Sequence, residues 1–509
     1  MGVAGTRADE LVIVKPFGPS VSVPDPAKGY NGWYTGEAGI TETLFNLDFN
    51  MRIEPCLAEG IDGTDSGSWR LRLKKGILFH NGVPLTAEVV KKSLTRFMDP
   101  ESPVFNKRLQ QLLDIKQIRV EDDHTLEIQT HNSNASLPYD LTLPGTAITV
   151  PSRNGKTIVG TGPFLLEKVF PKEKIVVSSF NDYWRGRPGI DRVQLNILPD
   201  PAARMLAFES GQADLAIHFP ESDAERLKAK KDVSIIHAPT TRLCFLFVRT
   251  ADGPLSDPLV RKALNYAINR EEIVNTVLHG VGGEVAGSVF PGVLPWHHEG
   301  ISPYPCNPAR ALALLEQASI KDTDGDGILE REGRPFYLNI WTYEGRSSLR
   351  PTLELIQTQL QSIGILTRMR VTKRGSPINL AMRRGEVHLN LQMWNVAPHG
   401  DPDYFVSHVF TTDASSNIMG YRNPELDALA KKGKASFDVT ERQRIYRKIQ
   451  EIIYRDSPVI ALFYKHAVCA VRRDVKGYKI HPAERAIVTH RIHGNGLSKA
   501  EDGGLQVPK

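Results

Sequence analysis

Two rhythms of apolar residues run through this sequence. At residues 11–14, 69–73, 125–129 and 174–178 apolar positions alternate or run together between Gly, Pro or Asp clusters, which predicts strands. Elsewhere they recur at helical spacing behind clear start signals. Asp200-Pro201 opens a predicted helix over 202–210 that Gly211 stops, Asp257-Pro258 opens one over 259–269, and Asn307-Pro308 opens one over 309–317. Thr440 with Gln443 reads as a capping box ahead of the stripe Ile445, Ile449, Ile452 and Ile453. Strands and helices interleave throughout, so the pattern predicts α/β lobes.

Two short runs are apolar at every position, Leu243-Cys244-Phe245-Leu246-Phe247-Val248 and Val459-Ile460-Ala461-Leu462-Phe463-Tyr464. Runs of this kind suit strands covered on both faces, here lying side by side. The most informative segment begins at Phe79-His80-Asn81-Gly82-Val83-Pro84-Leu85-Thr86. Asn81-Gly82 marks a tight turn, and Thr86 caps a predicted helix whose apolar stripe is Val89, Val90 and Leu94. The segment is architectural and carries no catalytic group.

A chain of 509 residues exceeds what one hydrophobic core supports, so two or three lobes are expected. Lys and Arg number 63 against 58 Asp and Glu, and the net charge of +5 is spread without a basic tail, which gives no argument for nucleic acid. No window reaches the roughly 18–20 uncharged apolar residues that span a bilayer. Met1 to Glu10 has no apolar signal core, so an exported protein would have its leader outside this sequence. The Gly-, Lys- and Asp-rich stretch 494–509 has little to bury and is expected to be mobile. Cys56, Cys244, Cys306 and Cys469 show no metal spacing; they read as buried thiols, with a disulfide between Cys244 and Cys469 as the alternative. There is no G-x-S-x-G, H-E-x-x-H, P-loop or dinucleotide fingerprint, so nothing local calls for an enzyme, and one with a non-local site is the remote alternative.

Five motifs in order carry a resemblance. They are the 79–94 segment, Gly160-Thr161-Gly162-Pro163-Phe164, Asn181-Asp182-Tyr183-Trp184-Arg185-Gly186, the helix and turn from Leu198-Pro199-Asp200 to Asp214, and Val260 to Arg270. Together they resemble family 5 of the extracellular solute-binding proteins, which feed peptide, nickel and opine ABC importers, and lean toward its nickel-binding branch. The resemblance implies a two-lobed α/β periplasmic-binding-protein fold (type II, large cluster) with a hinge. Lobe I would be 9–240 plus 472–509, with an extra subdomain at about 45–180, and lobe II 241–471, with crossings near 237–249 and 464–478. It also implies a monomer that closes on a small-molecule ligand, no cofactor, an ABC permease as partner, and a periplasmic or extracellular location with a lipid anchor as one option.

The ligand expectation rests on the stretch from Met393 to Phe405. Peptide-binding relatives carry an acid shortly after the tryptophan that pairs with a ligand ammonium. Here Ala397-Pro398 follows Trp394, which looks more like the nickel branch, although Asp401 or Asp403 would serve after a loop shift. His399, His490 and His493 are the candidate metal ligands, imidazole being the usual side-chain partner of Ni(II). Thr489, Arg491 and Lys107 or Arg108 would hold the chelator, a small organic acid or histidine, while Tyr30, Trp33, Tyr34 and Trp394 stack on it. A departure from the nickel pattern is Leu143-Pro144-Gly145-Thr146-Ala147, which lacks an arginine that some relatives place there. The expected cargo is a nickel chelate, with a dipeptide or oligopeptide as the alternative. Asp322, Asp324 and Asp326 begin like a calcium loop, but Gly333 stands where a bidentate glutamate belongs, so an acidic surface turn is the preferred reading and a structural calcium the alternative.

Overall fold

A computed structural model describes residues 10–64, 66–152, 158–373 and 376–494. Its spine is an 11-stranded mixed sheet. On one side lie Glu10–Lys15, Arg192–Ile197 and Leu215–Ile217, mutually parallel, with Phe164–Phe170 and Lys174–Ser179 as an antiparallel edge. On the other lie Leu389–Asn395, Tyr337–Tyr343 and Leu366–Thr372, again parallel. Two long antiparallel strands, Val233–Val248 and Val459–Arg472, join the sides and belong to both.

The apolar runs explain these long strands. Cys244, Leu246 and Val248 face one core with Ile340 and Leu391, while Leu243, Phe245 and Phe247 face another with Phe405 and Ile449. Both faces are covered, so alternation has no polar side. The register between the strands slips where Pro239 pairs with His466 but Arg242 pairs with Lys465, leaving Thr240 and Thr241 as a bulge. The Thr240 hydroxyl donates to Lys465 O at 2.6 Å, and Thr241 N–H to Pro482 O at 3.0 Å.

A separate four-stranded sheet, Ala58–Gly63, Ser68–Leu73, Thr125–Thr130 and Ile115–Asp122, packs under the helix Ala87–Met98. The 79–94 segment forms its turn and helix start. Gly82 takes φ +79°, the Phe79 N–H reaches Val83 O at 2.8 Å, and Thr86 caps the Val89 N–H at 3.4 Å. Glu42 ties this part to the main sheet. Its carboxylate accepts from Thr161 Oγ1 (2.9 Å), Tyr183 OH (2.8 Å) and Trp184 Nε1 (3.0 Å), joining the second and third motifs of the sequence. Burial raises its pKa, and these donors only partly offset that.

Several expectations need correcting. The helix opened by Asp257 ends at Ala267, because Asn269 caps a new helix, Arg270–Val277, through the Glu272 N–H at 3.1 Å. The long helix Val439–Asp456 is capped by Asp438, whose Oδ1 accepts from Thr440 and Glu441, so Thr440 lies inside it. Two good caps compete there, and the earlier one adds about half a turn of helix. Cys244 and Cys469 form no disulfide: Cys244 pairs across the ladder with Phe463 and Cys469 with Ile236, and all four thiols are free, with Cys306 alone exposed. The tail expected to be mobile lies, from 495 on, outside the described residues. No helix among the described residues is long and apolar enough to cross a membrane.

Glu42→Gln turns an amide N–H2 toward one of the three donors. The variant is expected to lose about 1–3 kcal/mol, the cost of a buried donor left unpaired, measured by thermal unfolding beside the parent.

Candidate functional site

A cavity of about 540 Å³ lies where the two sides of the sheet face each other, within the usual range for small-solute sites. Part of its lining comes from the C-terminal ends of strands. Lys15 ends one strand, His218 follows Leu215–Ile217, Arg346 follows Tyr337–Tyr343, and Trp394 closes Leu389–Asn395. Open α/β sheets receive ligands at such ends because the strand backbone stops there and side chains are free of ladder duty.

The aromatic wall is built by the helix Asn31–Glu37. Gly32 packs so closely that a Cβ would lie 2.5 Å from Pro144 O, which turns Tyr30, Trp33 and Tyr34 toward the cavity. Trp394 faces them, held edge-on by Phe247 at 5.4 Å and by its Nε1 donation to Gln392 at 3.1 Å. Arg108 and Tyr404 meet from opposite sides, guanidinium 4.9 Å from the ring centre and hydrogen-bonded to the hydroxyl.

The other end of the cavity is charged. Arg242 donates to Glu484 through Nε at 2.9 Å and also through Nη2, and His218 Nε2 lies 3.2 Å from the same carboxylate. Burial alone would raise the pKa of Glu484; Arg242, His218 and Arg346 outweigh it and hold it at about 2. Lys15 pairs with Glu37 beside the Tyr34 ring. Burial depresses His218 to about 3 and His408 and His481 to about 4, so these imidazoles are neutral near pH 7. Four lining cations, Lys15, Arg108, Arg242 and Arg346, stand against two carboxylates, Glu37 and Glu484. The cavity therefore favours an anion.

Of the residues expected at the site, Tyr30, Trp33, Tyr34, Arg108 and Trp394 line the cavity. The others stand elsewhere. His399 is 1% exposed, its Nε2 3.2 Å from Asp140 and its Nδ1 accepting the Asp401 N–H at 3.1 Å, so neither nitrogen has a lone pair to give a metal. His490 packs its ring on Tyr183 at 5.5 Å. His493 pairs its backbone with Lys476 and its Nδ1 with Arg491 O. Neither lines the cavity, nor do Thr489, Arg491 or Lys107. Asp401 is bound by Arg442 at 2.8 Å, and Asp403 by Ser407 and by Tyr446 at 3.1 Å, so neither substitutes for the missing peptide-binding acid. In the acidic loop, oxygens of Asp322, Asp324, Asp326 and Glu330 lie within 4.8 Å of one another, but Asp322 already accepts the Gly325 and Gly327 N–H groups in an exposed turn. Sequence reasoning missed Glu484, Arg242, His218 and Arg346. No short pattern marks them, because segments far apart in the chain bring them together.

A family model described as bacterial extracellular solute-binding proteins, family 5 Middle, matches residues 52–417. The glutathione-binding protein GsiB of Salmonella choleraesuis (strain SC-B67) is 28% identical over 456 residues, covering 86% of each chain. Among solved structures, the nickel ABC transporter from Bacillus halodurans superposes with a TM-score of 0.79 at 26% identity, covering 95% of this chain and 99% of its own. The ABC transporter-associated periplasmic binding protein DppA from Helicobacter pylori, in complex with peptide STSA, gives 0.78 at 25% identity and covers 96% and 98%. These relatives are named as binding and transport proteins, and the periplasmic-binding-protein fold of the solved ones is the one described above. With its model spanning most of the sequence, the family is established: this chain belongs to the bacterial extracellular solute-binding proteins, family 5.

Proposed function

We propose that this solute-binding protein captures an anionic, peptide-like solute of about the size of glutathione and hands it to an ABC permease. The observation that carries the reading is the cavity itself, with four cations against two carboxylates between aromatic walls. Carboxylates of the solute would take charge-assisted bonds from Arg108 and Arg346. The Glu37 and Glu484 end would receive an ammonium, and Trp33 and Trp394 would cover the backbone between. The 28% identity to a glutathione-binding protein points the same way.

The lobes we assign follow the expected 9–240 plus 472–509 and 241–471, with the second boundary drawn back to 465/466. Residues 466–471 pair with Leu215–Ile217 and with 233–239, opposite the Thr240–Thr241 bulge that we take as the hinge. Residue 9 and residues 495–509 lie outside the described residues. We read the protein as a monomer working outside the cytoplasmic membrane, the location in keeping with an extracellular solute-binding family. A nickel chelate remains as a second reading, because His218 is a neutral imidazole in the cavity wall and a nickel-transporter relative is 26% identical. Its protein ligand would be His218, not His399, His490 or His493.

Calorimetry with reduced glutathione, a neutral dipeptide, and Ni(II) plus free histidine separates the readings. Glutathione is expected to bind with a dissociation constant in the micromolar range and the nickel mixture to give no heat; the reverse result rejects the peptide reading. Arg108→Ala should weaken glutathione binding by roughly tenfold to a hundredfold, the loss of one charge-assisted bond of about 1.5–3 kcal/mol.

The pH profile gives a further check. Depressed imidazoles take up protons only well below the ordinary histidine range, and Glu484 stays ionised down to about pH 2. Glutathione affinity should therefore be flat between about pH 5.5 and 8, whereas a chelate held by free histidine should weaken as the imidazoles protonate. The same histidines bind protons more readily unfolded, so thermal stability should fall as pH drops from about 6.5 toward 4.

A further inference from the structure

Five polar or charged side chains are almost completely buried at the seam between the small-sheet part and the second half of the molecule: Ser136, Asp140, His399, Asp401 and Arg442, none more than 3% exposed. Ser136 and Asp140 belong to the small-sheet part, whose core also holds Leu137 and Leu141 with Phe45. His399, Asp401 and Arg442 belong to the half that carries Trp394. The Ser136 hydroxyl donates to Asp401 at 3.2 Å and accepts from Arg442 Nη2 at 3.2 Å. Asp140 meets His399 at 3.2 Å. The backbone joins in, with the Ala135 N–H on Lys434 O at 2.9 Å and the Ser133 hydroxyl on Ala435 O at 3.1 Å. Trp69 and Phe437 pack rings 5.1 Å apart across the same seam.

A hinge at Thr240–Thr241 would open this seam together with the cleft, yet none of these five side chains lines the cavity. We infer that the Ser136–Asp140 and His399–Asp401–Arg442 groups form a polar latch that fixes how far the two halves close, and so sets solute affinity without touching solute. The energetics suit a latch. Buried ion pairs repay much of their attraction in lost hydration, and on opening water returns to every group, so the pair of states stays balanced. Removing a partner from one side penalises only the closed state, where the remaining charge stays dry, and so tips the balance toward opening. Direction is added as well, since a mispaired seam would leave buried charges unsatisfied.

The test uses the full chain. In a Cys306→Ser background, Ser133→Cys with Ala435→Cys places two thiols across the seam without removing a charge beside Asp140, and their oxidation rate without solute reports closure. The latch predicts rapid cross-linking without solute, slowed several-fold when Ser136→Ala and Asp140→Ala are added. Small-angle scattering of the solute-free Ser136→Ala/Asp140→Ala protein should show a larger radius of gyration than the parent. Its glutathione affinity should fall roughly tenfold through faster dissociation, which corresponds to about 1.4 kcal/mol. Cross-linking that waits for solute, or a double variant with unchanged radius and dissociation rate, overturns the latch. Should the double variant fail to fold, the cross-linking rate in the Cys306→Ser background decides by itself. If glutathione does not bind at all, the ligand reading falls, while the solute-free cross-linking and scattering still judge the latch.

Discussion

Val233–Val248 and Val459–Arg472 run antiparallel through the middle of the protein, and the main sheet continues from them through Leu215–Ile217 on one side and Leu389–Asn395 on the other. Their ladder is continuous except at two slips, and the one at Thr240–Thr241 falls where the flanking sheets diverge. A bulge removes pairing and adds twist at a point, so the strands that bind the halves together also define where they can bend. Leu243, Phe245 and Phe247 on one face and Cys244, Leu246 and Val248 on the other keep the second half rigid right up to that point.

From this constraint the cleft follows. Parallel strands on both sides end toward the bulge; Lys15 closes one of them and His218 and Arg346 lie just past two others, while Arg108, Arg242, Glu37 and Glu484 reach the cavity from other elements. The return segment after Arg472 brings Glu484 back against Arg242 and His218. Glu484 adopts φ +53°, a conformation uncommon for a residue with a Cβ. Two cations and an imidazole hold the carboxylate there, so the hinge region and the charged end of the cavity share one network.

Local chemistry was legible in the sequence and long-range chemistry was not. Asp200 and Asn307 cap their helices as read, because a cap, a proline and an apolar stripe sit within a few residues of one another. Tyr30, Trp33, Tyr34 and Trp394 were placed at the cavity by resemblance to a family layout, not by any pattern of their own. His399 shows the limit. Nothing near it in sequence reveals Asp140 as its partner, and a histidine with both ring nitrogens engaged, one by Asp140 and the other by the Asp401 N–H, is structural, whatever the neighbouring tryptophan suggests. Thr440 failed for a smaller reason: Asp438 is an equally good cap two residues earlier.

Lys15, His218, Arg346 and Trp394 sit at or just past strand ends, where a side chain can change without disturbing the ladder behind it. The scaffold and the choice of cargo are thereby encoded in nearly separate sets of positions. A lineage carrying this gene can drift from one nutrient to another through a few substitutions at those tips while inheriting the folding machinery untouched, and shared ancestry alone is a poor guide to diet.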